Sequence, residues 1–204
     1  MSEPVAAEQK RRGRPRSETA RRAILAAAAE LLIERPLEAV SVDEIAERAG
    51  VSKATIYRWW PTKETLALDA LFHEWETAPS LPDTGSLRGD LLALLRPWAR
   101  RLRTRPYGRV IAALLAEAHA DAGFGGQYRS RFVQARREPA RIVVRRAIER
   151  GELPARTNID LALDLVYGPV YHRLLHGHAP LTNRFVTDLV DTALAGLGYA
   201  EATT

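Results

Sequence analysis

The chain has 204 residues, 46% of them hydrophobic and 27% charged, ordinary globular values that exclude wholesale disorder and fibrous repeats and leave room for one sizeable core or a small module joined to a larger one. It has no cysteine, so disulfides, a thiolate nucleophile and a Cys-based zinc site are excluded, and any metal would need histidines and carboxylates. The net charge of +5 is unevenly spread, with 12 basic against 13 acidic residues in 1–78 and 18 against 12 in 79–204, so global basicity alone does not mark a nucleic-acid domain.

No run approaches the roughly 18 uninterrupted apolar residues of a membrane span, and Met1 to Lys10 lack the apolar core of a signal peptide; a cytoplasmic protein is expected. Local charge says more. Lys10, Arg11, Arg12, Arg14, Arg16, Arg21 and Arg22 face only Glu18, which makes residues 1–16 a basic arm. Its Arg-Gly-Arg-Pro-Arg order, with Arg14 and Arg16 at its end, suits a narrow minor groove whose negative potential attracts arginine.

The rest reads as helix after helix, an all-α chain without an alternating strand pattern. A first helix is expected from Ser17 as N-cap, with Ile24, Ala28, Leu31 and Leu32 on one face and Pro36 as its stop. Ser41 caps a second, in which Val42, Ile45, Ala46 and Ala49 share a face before Gly50 in the left-handed terminal position. Ser52 caps a third, with Ile56 and Trp59 facing inward and Pro61 driving Trp60 out of helical geometry. These make a module over residues 17–61. Thr62 caps a connecting helix over residues 62–78, and the Pro- and Gly-containing stretch 78–85 is the best boundary.

Residues 79–204 form a second helical unit. Leu87, Leu91, Leu94, Leu95, Trp98 and Leu102 make one stripe, with a kink at Pro97; Tyr107, Ile111, Leu114, Leu115 and Ala118 make another. A segment from Gln127 to Arg150 is expected to be interrupted or bent at Pro139 and to end at Gly151. Asn158 caps a segment to His176, and Thr182 caps a last helix. Both are apolar enough to want a partner, and Leu165, Phe185, Leu189, Val190, Ala193 and Leu197 are the candidate interface of a homodimer.

The segment Val42 to Trp60 carries the most specific pattern. A helix-turn-helix needs a small residue at the helix crossing (Ala46), a glycine in the turn (Gly50) and apolar locks (Ile45, Ala49, Val51, Ile56, Trp59). That arrangement turns Lys53, Ala54, Tyr57 and Arg58 outward on a helix short enough to enter a major groove. Lys53 and Lys63 each follow an N-cap, at the positive end of a helix, where a cation is unfavourable until an anion arrives. Lys63 therefore suits a phosphate and Lys53 a guanine edge.

Ser41 to Leu66, Ser-Val-Asp-Glu-Ile-Ala-Glu-Arg-Ala-Gly-Val-Ser-Lys-Ala-Thr-Ile-Tyr-Arg-Trp-Trp-Pro-Thr-Lys-Glu-Thr-Leu, strongly resembles the DNA-binding domain of the TetR/AcrR family of bacterial transcriptional regulators. The motif match covers about residues 17–75, and the remainder matches in architecture. The resemblance implies a homodimer on a palindromic double-stranded operator, usually a repressor released by a small-molecule effector, nucleoid-associated when bound. It implies phosphate contacts from Ser41, Ser52, Thr55, Tyr57 and Lys63, and base-facing positions at Lys53, Ala54 and Arg58. Trp59-Trp60-Pro61 departs from the family pattern, in which an aromatic such as Phe is commoner at 60 and proline is rare at 61.

Rings on several helices should converge on an effector pocket: Trp75, Trp98, Tyr107, His119, Phe124, Tyr128, Phe132, Tyr167, Tyr171 and His172. The arginines of 100–109 and 129–150 could attract an acidic effector, although solvated helix faces explain them more simply. His172 and His176 lie one turn apart, with His178 or His119 as a possible third ligand, but no His-Glu-x-x-His motif occurs. Neither a Gly-rich phosphate loop nor a Gly-x-Ser-x-Gly elbow is present, so no cofactor and no enzyme activity are expected. The rival readings are an architectural DNA-binding protein without effector control and a helical metal-dependent enzyme.

Overall fold

The computed structural model describes residues 14–75 and 81–200, with the backbone alone described at 14–17, 74, 75 and 105. The described residues are helical, without a strand. Helix α1 (Arg14–Glu34) is followed by a 3-10 turn (Leu37–Ala39), α2 (Val42–Ala49), α3 (Lys53–Tyr57) and α4 (Lys63–Ala70), which continues as a π turn (Leu71–Trp75). The second unit holds α5 (Leu87–Leu102), α6 (Arg105–Ala120), α7 (Ala122–Tyr128), a π turn (Arg129–Val133), α8 (Gln134–Glu149), α9 (Ile159–His176) and α10 (Asn183–Gly196).

Local chemistry sets most boundaries. The hydroxyls of Ser41, Ser52, Thr62 and Thr182 and the amide oxygen of Asn158 each accept from the backbone N–H three residues on, satisfying a donor that the first turn leaves open. Gly50 closes α2 at φ 65, a left-handed conformation that costs glycine little. The α5–α6 corner has a different need. A Cβ at Gly108 would stand 2.2 Å from the Leu102 carbonyl oxygen, so only a residue without one fits.

Ile24, Leu25, Ala28, Leu31 and Leu32 of α1 are buried, and α1 packs on α2, α4 and α6. The guanidinium of Arg109 in α6 donates to the Leu32 carbonyl at the end of α1 at 2.9 Å. The first module is thereby fastened to the second both by packing and by a cap. Glu152, buried between α8 and α5, accepts from the Leu87 N–H at 2.7 Å and pairs with Arg150, closing the start of α5.

Four expectations are corrected. Helix α1 begins at Arg14 rather than Ser17, so the last arginines of the arm belong to helical backbone; residues 1–13 lie outside the described residues, as do 78–80 of the boundary stretch. Trp60, not Trp59, faces the core, with exposures of 3% and 38%: the Trp60 N–H still donates to the Ile56 carbonyl at 2.9 Å, which places it four residues on from buried Ile56 on the same face, and Asp69 holds its indole N–H at 2.8 Å. The break expected at Pro139 comes earlier, at the Arg129–Val133 π turn, and α8 runs through the proline. Val190 and Ala193 are shut inside their own protomer because their face of α10 packs on α5, so neither is an interface residue.

Candidate functional site

With Ile56 buried as the anchor of α3, a five-residue helix has one outward face, and Ser52, Lys53, Ala54, Tyr57 and Arg58 are on it, all exposed, with Thr55 half-buried. Ser52 Oγ lies 2.9 Å from Thr55 Oγ1, so the two hydroxyls stand together at the start of the helix beside open N–H groups. Lys53 Nζ donates to Asp43 Oδ2 of α2 at 2.9 Å. That bond holds its pKa above the ordinary lysine value, so it is a cation at any working pH.

Ser41 and Lys63 are more engaged than their sequence positions suggest. Ser41 Oγ donates to Glu44 Oε2 at 2.8 Å while accepting from the Glu44 N–H, and the Ser41 N–H donates to the same carboxylate at 2.9 Å. Lys63 Nζ donates to the Leu37 carbonyl at 2.8 Å, tying α4 to the 3-10 turn; its other two N–H groups are not used in that bond. Arg14 and Arg16 are described in backbone only.

The Ser41 N–H, with Arg35 at 2.8 Å from Oε1, pulls the Glu44 carboxyl down from 4.5 to about 2. A folded-state value below the unfolded one means a contribution complete above pH 4.5 and lost as pH falls toward 2. Urea titrations should show that loss in the wild type and its absence in Glu44→Gln. Ser41→Ala should cost about 1 kcal/mol at pH 7; an unchanged midpoint would mean that the box is not formed in solution. A cleft of about 360 Å³ beside it is lined by Leu31, Arg35, Glu44, Glu47 and Arg48, with Arg35 paired to Glu44 across it and Arg48 paired to Glu34 of α1.

In the second unit, seven predicted rings converge. Trp98 meets Tyr167 and Tyr171 edge-on at 5.3 and 5.4 Å, Tyr128 stacks on Phe132 at 5.1 Å, and Phe124 joins Tyr128 at 6.3 Å. Arg136, which sequence reasoning left among solvated arginines, lies over Trp98 at 4.9 Å and Phe132 at 5.3 Å, and reaches the Tyr107 hydroxyl at 3.5 Å. Its signal was present: Tyr128, Phe132 and Arg136 recur every fourth residue, on one helical face. Burial pushes the Tyr128 phenol up and the Tyr167 phenol up to about 12, so both are neutral. Trp98 is 4% exposed, and its Nε1–H has no hydrogen-bond partner among the described residues.

Two predicted ring positions are not in this cluster. His119 is exposed at the end of α6, and His172 lies on the open face of α9, its ring 4.5 and 5.0 Å from those of His176 and His178. Among the described residues no group of three such side chains is arranged to hold a metal ion. The Trp75 side chain lies outside the described residues. Of the interface candidates, Leu165 is exposed and Phe185, Leu189 and Leu197 are half-buried, Phe185 beneath the Arg173 guanidinium.

Two family models match. Residues 24–70 match the model of bacterial regulatory proteins of the tetR family, and residues 81–193 match a tetracyclin repressor-like C-terminal domain. The chain is 40% identical over 195 residues to an uncharacterised helix-turn-helix regulator of Bacillus subtilis, YdeS, covering 96% of this chain and 98% of that one. It is 33% identical over 182 residues to the DNA-binding transcriptional repressor TetR of Mycobacteroides abscessus, covering 88% and 94%. The crystal structure of the TetR-family regulator SCO0332 is 39% identical and superposes with a TM-score of 0.73 over 87% of this chain and 97% of that one.

Proposed function

The chain belongs to the TetR family of bacterial regulatory proteins, DNA-binding transcriptional regulators rather than enzymes, and from that premise we propose a homodimeric repressor that leaves a palindromic operator when a small molecule enters the second unit. The observation that carries the reading is the outward face of α3. Burying Ile56 leaves Lys53, Ala54, Tyr57 and Arg58 as the surface that a major groove would meet. Lys53, Ala54 and Arg58 face base edges; Ser41, Ser52, Thr55, Tyr57 and Lys63 serve phosphates; Arg14 and Arg16 extend the grip into the minor groove. The M. abscessus relative, named a repressor, supports the sign of regulation.

The cluster of Trp98, Tyr107, Phe124, Tyr128, Phe132, Tyr167 and Tyr171 around Arg136 is the effector site of this reading. Its chemistry suits an apolar or aromatic molecule that offers an acceptor to the Trp98 indole N–H. Leu165, together with Leu161 on the same helix, both exposed, is where a second copy docks. No described helix is long and apolar enough to cross a membrane, in keeping with a cytoplasmic regulator.

Selection of bound sequences from a random duplex library, at stated salt, tests the reading. An enriched palindrome is expected, with half-sites about one DNA turn apart. No enrichment would sink the sequence-specific reading and favour an architectural DNA-binding protein. On the enriched operator, Arg58→Ala should relax sequence preference by about 1–3 kcal/mol, and Lys63→Ala should weaken all duplexes alike and lower the salt slope by about one. Equal losses on operator and random DNA for both would contradict the assigned roles.

A further inference from the structure

Asp69 of α4 is the meeting point of three parts of the molecule. Its Oδ2 accepts from the Trp60 indole N–H at 2.8 Å, its Oδ1 accepts from the Arg131 guanidinium, and the Arg21 guanidinium of α1 stands 3.8 Å from Oδ2. The carboxylate is 12% exposed. We infer that Asp69 is the positioning residue of the DNA-reading segment, setting the exit of α3 through Trp60, and that Arg131 makes that position depend on the second unit. The inference rests on the reading of α3 and of the aromatic cluster given above.

A five-residue helix has little intrinsic stability, so the side chains that anchor it set its direction. Ile56 is one. The other is Trp60, whose indole is packed under Arg21 at 5.9 Å and oriented by its one N–H donor. Rotating that ring moves Tyr57 and Arg58, a few residues back on the same short segment. The acceptor in turn is a nearly dry carboxylate, which holds its place only while its charge is compensated.

One of its two neighbouring cations comes from 62 residues away. Arg131 lies in the π turn between α7 and α8, with its guanidinium 6.0 Å from the Phe72 ring. The next residue, Phe132, packs on Phe72 at 5.9 Å and stacks on Tyr128 at 5.1 Å. Arg131 and Phe132 thus sit on one turn, one holding Asp69 and the other lining the cluster. An effector that displaces the Phe132 or Tyr128 ring displaces Arg131 with it, and Asp69 loses a cation. By linkage, operator binding that fixes Trp60 favours the cluster geometry in which Arg131 holds Asp69.

The test uses the full-length protein with Arg131→Met, Arg131→Lys, Asp69→Asn and the double variant. Three readouts are taken: operator affinity by anisotropy, melting by circular dichroism, and the ¹⁵N-labelled indole resonance of Trp60, identified by Trp60→Phe. Arg131→Met should weaken operator binding about tenfold and shift the Trp60 resonance while the protein stays folded. Arg131→Lys should restore part of both. Asp69→Asn should match Arg131→Met, and the double variant should be no weaker than either single one, the signature of two residues acting as a unit.

A Trp60 resonance unmoved in Arg131→Met would overturn the inference, as would additive losses in the double variant. The resonance is read without DNA. A protein that enriches no operator therefore defeats the functional reading alone, and the Asp69 inference still stands or falls on the spectrum.

Discussion

Trp60→Ala should destabilise the protein by about 3–5 kcal/mol, the range for removing a large buried aromatic, while Trp59→Ala, one residue away, should cost about 1 kcal/mol or less. The two indoles are 6.2 Å apart and chemically alike, so only their environments separate them. Trp60 is 3% exposed and bonded to Asp69, and Trp59 is 38% exposed. Truncating Trp60 leaves both a cavity beneath α1 and α4 and a carboxylate short of a donor. Urea unfolding of the two variants decides the matter. Equal losses, or a larger loss at Trp59, would show that the chain enters α4 along another path.

The second large effect separates core from surface on two neighbouring helices. Val190→Asp should abolish folding, because Val190 is 0% exposed and a carboxylate there would be buried without a partner, at a cost beyond the 4–5 kcal/mol that marks exceptional substitutions. Leu165→Asp, at a site 41% exposed, should leave melting nearly unchanged and yield monomers by light scattering, with operator affinity lost because each half-site is then held alone. A folded dimeric Leu165→Asp would move the docking surface off this face of α9.

What the sequence revealed was local. The caps at Ser41, Ser52, Thr62, Asn158 and Thr182 and the glycine at 50 stand where expected, because a hydroxyl or amide three residues ahead of an N–H is chemistry within one turn. The errors came where a pattern admitted two answers. Trp59 and Trp60 stand three and four residues beyond Ile56, both offsets share a helical face, and backbone bonding to the Ile56 carbonyl continues to both; spacing alone does not say which indole turns inward. Val190 was assigned outward because an apolar face does not say which neighbour covers it. The Arg131–Asp69 pair spans 62 residues, and no local periodicity reports such a contact. Arg136 was legible in its spacing and was set aside only because arginines are usually solvated.

The Lys53–Asp43 pair has a consequence for discrimination on the proposed reading. Asp43 is a tethered anion on the adjoining helix, and because both side chains are exposed the pair is worth about 1 kcal/mol or less. A duplex offering only phosphates must compete with it for the ammonium, and in a loose encounter Lys53 can stay with its own carboxylate. Only a groove in register that presents a base-edge acceptor draws the lysine away. On that reading the protein carries its own decoy, and its reading helix is partly silent on the wrong DNA.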